Sequence, residues 1–117
     1  RRLLFRYAFE QLEMQAIQYV KENNLEHYPI YYQDPFFPTK LKKDPFDENV
    51  SLNLYQHGSK PFKPGALIMW DSHLCQRESL LPLKVLELQP LTLLKRFVAP
   101  DDYNVNDSME VRIYLTK

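Results

Sequence analysis

The run Pro64-Gly65-Ala66-Leu67-Ile68-Met69-Trp70-Asp71-Ser72-His73 constrains the fold more than any other part of the chain. A Pro-Gly turn feeds five consecutive apolar residues, and the run stops at an aspartate. A short apolar run bounded by turn signals fits a strand buried on both faces, as in a parallel sheet. Open α/β sheets bind ligands in the crevice beyond the carboxyl ends of such strands. Asp71, Ser72 and His73 fall where these folds place chemistry.

The flanking sequence predicts what surrounds that strand. Phe5, Phe9, Leu12, Ala16 and Val20 recur at three- and four-residue steps, which predicts an amphipathic helix over 3–23. Glu10, Glu13, Gln15 and Glu22 are assigned to its solvent side, and Glu22-Asn23-Asn24 supplies the stop. Tyr28-Pro29-Ile30-Tyr31-Tyr32 reads as a strand ending at the turn signal Gln33-Asp34-Pro35. In the proline-rich stretch 34–63, a helix capped by Asp47 and stopped by Gly58 is favoured over a strand across 50–55. A parallel crossover of that length usually carries a helix. A loop after 70, a helix over 80–88 capped near Ser79, and a strand over 91–97 follow. Met109, Val111, Ile113 and Leu115 alternate with Glu110, Arg112, Tyr114 and Thr116, which predicts an antiparallel edge strand with one solvated face. The expected fold is a single small α/β domain: a mostly parallel sheet of about four strands, an antiparallel edge strand and flanking helices.

Composition removes several functions. Fifteen basic residues balance fifteen acidic ones, nine to eight over 1–63 and six to seven over 64–117, so no basic face marks a nucleic-acid partner. Gly58 and Gly65 are the two glycines and neither lies in a phosphate-cradling motif. One cysteine, Cys75, excludes an internal disulfide and a cysteine-rich zinc site. No run approaches the roughly 18 apolar residues of a membrane span. The start at Arg1 is read as the cut end of a longer protein.

Asp71, His73 and Glu78 are the one cluster of acid/base or metal-ligand composition. A divalent metal would need a further ligand and supporting hydrogen bonds; the simpler expectation is that Asp71 caps the following loop through backbone N–H groups. No metal and no cofactor is assigned. Cys75 beside His73 lacks the backbone approach a thiolate nucleophile needs, so no catalytic residue is assigned either. Tyr32, Trp70 and their aromatic neighbours, with Asp34 and Asp71 beside them, would suit a glycan: rings for C–H faces and carboxylates for hydroxyls. Tyr31 and Trp70 read more readily as core, and Phe36-Phe37 as an exposed docking patch. The candidate ligand-binding set is therefore Trp70, Asp71, His73, Glu78, Tyr32 and Asp34.

The order of Tyr28-Pro29-Ile30-Tyr31-Tyr32, Asp44-Pro45-Phe46-Asp47, Pro64-Gly65 through His73, Glu78, Leu81-Pro82-Leu83 and Leu93-Leu94-Lys95-Arg96-Phe97 resembles a known group. It is similar to the soluble C-terminal domain of bacterial polytopic membrane glycosyltransferases, akin to the polyprenyl- or dolichyl-phosphate-mannose protein mannosyltransferases. The resemblance runs from about residue 13 to the end of the strands. It implies an extracytoplasmic (periplasmic) domain without catalytic carboxylates of its own. Its implied partners are the membrane-embedded part of the same chain and a glycan or protein acceptor. Two other expectations come from the residues alone: a free-standing α/β enzyme or metal-binding protein using Asp71, His73 and Glu78, and an interaction module using Phe36-Phe37 and the strand at 109–116.

Overall fold

The computed structural model describes residues 2–77, 81–99 and 109–117. Their order is α1 (Arg2–Glu22), β1 (Ile30–Tyr32), α2 (Phe36–Lys40), β2 (Ser51–Asn53), α3 (Leu54–His57), β3 (Leu67–Asp71), α4 (Leu74–Arg77), α5 (Leu83–Leu86), β4 (Leu91–Val98) and β5 (Glu110–Thr116). The strands form one mixed sheet in the order β2-β1-β3-β5-β4. β1 pairs in parallel with β2 on one side and β3 on the other, whereas β5 runs antiparallel to both β3 and β4.

The apolar run does form the central buried strand, with every residue of β3 inaccessible. Its alternation sends Leu67 and Met69 to one face and Ile68 and Trp70 to the other. On the first face, Phe9, Leu12, Ala16 and Val20 of α1 pack over Ile30, Tyr32, Val111 and Ile113. On the second, Leu54, Cys75, Leu81 and Leu86 cover Tyr31, Leu52 and Tyr114. Burying both faces is what a helix-covered α/β sheet requires. Gly65 enters β3 at a φ of +73°, the left-handed conformation a turn glycine supplies without strain. Asn24 stops α1 at a φ of +56°, as the Asn-Asn pair predicts.

Five expectations are corrected. The sheet has five strands, and its antiparallel strand is interior: β5 lies between β3 and β4, and β4 is the edge. The polar half of the β5 alternation faces protein partners instead of water. Thr116 Oγ1 donates to the Lys63 carbonyl at 2.6 Å and accepts from the Ala66 N–H at 2.9 Å, and Tyr114 is inaccessible. A polar residue with a buried partner leaves the same period of two as a solvated one. The expected helix forms only at its C-terminal end: β2 begins at Ser51, its Leu52 is buried, and α3 starts only after Asn53, whose side chain accepts from the Tyr55 N–H at 2.7 Å. Phe36 and Phe37 do not form an exposed patch, because α2 turns Phe37 fully into the core with Phe36 packed beside it. Glu13 lies on the core side of α1 and is only 3% exposed.

The helix expected over 80–88 is shorter, with Pro82 preceding α5 and Leu86 buried. α4 occupies part of the expected loop after β3. Glu78, Ser79 and residues 100–108 lie outside the described residues.

Candidate functional site

Three carboxyl side chains converge where β1 and β3 end. This is where the chain leaves toward β2 on one side and toward β5 and β4 on the other, the kind of switch point at which α/β sheets bind ligands. Asp71 is the last residue of β3 and shares the α1-covered face with Leu67 and Met69. Asp34 follows β1 by two residues, so the same alternation carries it to that face. Glu13 comes down from α1, four residues after Phe9 and three before Ala16, squarely in the apolar ladder.

Each acid has a distinct set of contacts. Asp34 Oδ1 accepts the Phe36 N–H at 3.0 Å, which starts α2. Asp71 Oδ1 accepts the Leu74 N–H at 2.6 Å, and its Oδ2 takes the Cys75 thiol at 3.6 Å. Asp71 is thus the cap of the turn that follows its strand, as its position predicts. Burial pushes its carboxyl up to about 6, against the Leu74 and Cys75 hydrogen bonds that favour the charged form, with Asp34 adding repulsion. Glu13 is pushed up to about 10, first by burial, then by a hydrogen bond to Asp34 and by the negative charges of Asp34, Asp71 and Glu10. At neutral pH Glu13 is therefore a neutral acid bonded to the Asp34 carboxylate. Its Oε2 is buried and has no hydrogen-bond partner.

A cleft of about 280 Å³ opens above these groups, lined by Arg6, Phe9, Glu10 and Glu13 from α1, Asp34 after β1 and His73 after β3. The Phe9 and His73 rings meet edge to face with centroids 5.7 Å apart. The cleft thus offers an aromatic wall, a neutral acid and a carboxylate. Its described lining holds no serine, threonine, cysteine or lysine. The Cys75 thiol is fully buried and held well above its ordinary range by burial and by Asp71, which makes it inert. Among the described residues no three His, Cys, Asp or Glu side chains are placed to hold a metal ion.

Of the six candidate residues, the structure brings Asp34, Asp71 and His73 together. Trp70 points to the opposite face, 1% exposed, with its indole N–H donating to the Leu81 carbonyl at 3.0 Å. Tyr32 is core beneath α1. Both are corrected from ligand contacts to packing residues, because strand alternation separates Trp70 from Asp71. Glu78 lies outside the described residues. The missed member is Glu13. Its signal was present in the sequence: an acid at the i+4 and i−3 positions of an apolar ladder cannot face water.

A second polar cluster lies on the other face. Glu110, 6% exposed, accepts from the Arg96 and Arg112 guanidinium groups, the latter at 3.0 Å. Arg112 also donates to the Tyr114 hydroxyl, which donates to Glu87. Burial alone would raise the Glu110 carboxyl, but the two arginines hold it below its usual range.

No protein-family model, curated protein or solved structure matches the chain. No described helix is long and apolar enough to cross a membrane.

Proposed function

We propose that this chain is a non-catalytic domain of a membrane glycosyltransferase, on the extracytoplasmic side of the membrane, that holds the acceptor beside the membrane-embedded part of the same protein. The observation that carries the reading is the cleft at the β1 and β3 ends. It pairs hydrogen-bonding carboxyl groups with an aromatic wall, the surface a polyhydroxylated ligand needs. The sequence resemblance supplies the parent enzyme class. In this role Asp34 and Glu13 would take ligand donors, Phe9 and His73 would wall the ring, and Asp71 would keep the loop carrying His73 and Leu74 in place.

The reading frame that contains the chain tests the placement: clustered apolar spans are expected within it, and their absence overturns the proposal. In the full-length protein, Asp34→Asn should raise the acceptor KM and leave kcat nearly unchanged. A fall in kcat alone would instead make this site catalytic.

The two other expectations gain no support. The metal reading asks Asp71 to serve as a ligand, and its two oxygens already hold Leu74 and Cys75. The interaction-module reading rests on an exposed Phe36-Phe37 pair and an edge at 109–116, and Phe37 is core while β5 is interior.

A further inference from the structure

We infer that the Glu13–Asp34 cleft is built to receive a primary ammonium group, as on an amino sugar. The sugar half of this statement rests on the acceptor-binding reading; the ammonium half rests on the site alone.

The starting observation is Glu13, a side chain only 3% exposed that lines the cleft, whose buried Oε2 has no partner. A buried acceptor left unmet costs free energy, so such atoms mark places where something else binds. What completes this one must donate a hydrogen bond. A hydroxyl would satisfy that atom and nothing more. An ammonium satisfies it with one of three donors, reaches Asp34 with a second, and answers the charge as well. Charge is what the site lacks. Glu10, Glu13 and Asp34 line the cleft and Asp71 lies within electrostatic reach, against Arg6 at the exposed rim and the titratable ring of His73.

Glu13 avoids a buried like-charge pair by keeping its proton. With an ammonium seated, both carboxylates are compensated, Glu13 ionises, and its proton leaves to solvent. The Phe9 and His73 rings fit the same ligand, since an aromatic wall attracts cations. Binding that releases a proton strengthens as pH rises, by at most about tenfold per pH unit for one proton.

Amide shift titrations of the chain, at matched ionic strength, test this with three probes: n-propylammonium, glucosamine and N-acetylglucosamine, each to about 50 mM, the range that reports millimolar affinities. Shifts are expected at the amides of residues 9–13, 34 and 73–74 with n-propylammonium and glucosamine, with N-acetylglucosamine at least about tenfold weaker for want of the charged donor. The n-propylammonium affinity should rise between pH 6 and pH 8. Glu13→Gln, which keeps the shape and is neutral like the native acid, should weaken it about tenfold and reduce the pH dependence to the part that Asp71 contributes near pH 6.

N-acetylglucosamine binding as tightly as glucosamine would overturn the ammonium inference while supporting a glycan acceptor. Shifts with n-propylammonium and neither sugar would uphold the ammonium site and remove the glycan reading. No shift at these amides with any probe, or a Glu13→Gln protein that binds n-propylammonium like the parent, overturns the inference.

Discussion

Glu13 and Glu110 are buried almost equally, at 3% and 6% exposed, on opposite faces of one sheet, and they meet opposite fates. Glu110 sits between two arginines and is held ionised. Glu13 sits among other acids and is held protonated. Burial raises the cost of charge for both, so the neighbours decide the outcome. A paired carboxylate is finished structure: Arg96, Arg112, Tyr114 and Glu87 close its network. Glu13 is unfinished, with a buried oxygen left over at a cleft. Natural folds concentrate such unfinished groups at functional sites and offset them elsewhere.

The sharpest way to break this comparison is to neutralise Glu13. A carboxyl whose folded pKa is raised binds more protons folded than unfolded. Its stabilising share is complete below the usual carboxyl range and is lost as pH climbs toward about 10. The parent should therefore lose stability steadily from about pH 5 to pH 9. Glu13→Gln should flatten that slope and, at pH 8, be more stable by about 3 kcal/mol, since each unit of displaced titration is worth about 1.4 kcal/mol and relaxation absorbs part of it. Urea unfolding across pH measures this. A variant no more stable than the parent at pH 8 would mean that Glu13 is ionised and compensated in the empty protein.

Glu110→Gln should move the other way. It leaves Arg112, whose side chain is 16% exposed, facing a neutral amide, while Arg96 at 48% keeps much of its hydration. Removing one partner of a fully buried pair costs about 3–5 kcal/mol, and the exposure of Arg96 reduces this to about 2 kcal/mol. The lowered Glu110 pKa gives stability that is present above the usual carboxyl range and lost as pH falls through the folded value. The destabilisation should accordingly shrink when unfolding is followed from pH 7 down to pH 3. A loss that stays constant over that range would locate the effect in packing.

The strands were legible wherever one chemical cause produced the pattern. β3 is a pure apolar run, and the sequence placed both its burial and its end at the polar residues that reach the cleft. α1 is legible in extent, but the charge of Glu13 points to water while its position between Phe9 and Ala16 points to the core. β5 is legible in extent and in its antiparallel pairing, but its edge position and solvated face are not, for a related reason. Period two distinguishes two faces without saying whether the polar one meets water or Arg96, Glu87 and the Lys63 carbonyl. β2 has three residues, too few for any periodicity, and its pairing with β1 is a tertiary fact. Of the cleft, Asp34, Asp71 and His73 could be read from strand ends; their meeting with Glu13 required knowing which face α1 covers.

The smallest expected effects separate the frame of the cleft from its lining. Asp71 is part of the frame: its Oδ1 receives the Leu74 N–H at 2.6 Å and fixes the turn that presents His73. Losing a cap of this kind costs about 0.5–2 kcal/mol. Asp71→Ala should fall near 1 kcal/mol, because it also removes a charge that burial and Asp34 disfavour above about pH 6. Asp71→Asn keeps the acceptor and drops the charge, so at pH 7.5 it should be at least as stable as the parent. His73 is lining: its side chain is exposed, and its ring meets Phe9 at the cleft wall. His73→Ala should therefore change stability by less than about 0.5 kcal/mol. Denaturant midpoints of the three variants at pH 7.5 decide between the roles. An Asp71→Ala protein as stable as the parent would remove the cap as a source of stability. A His73→Ala loss as large as that of Asp71→Ala would move the histidine from the wall into the frame.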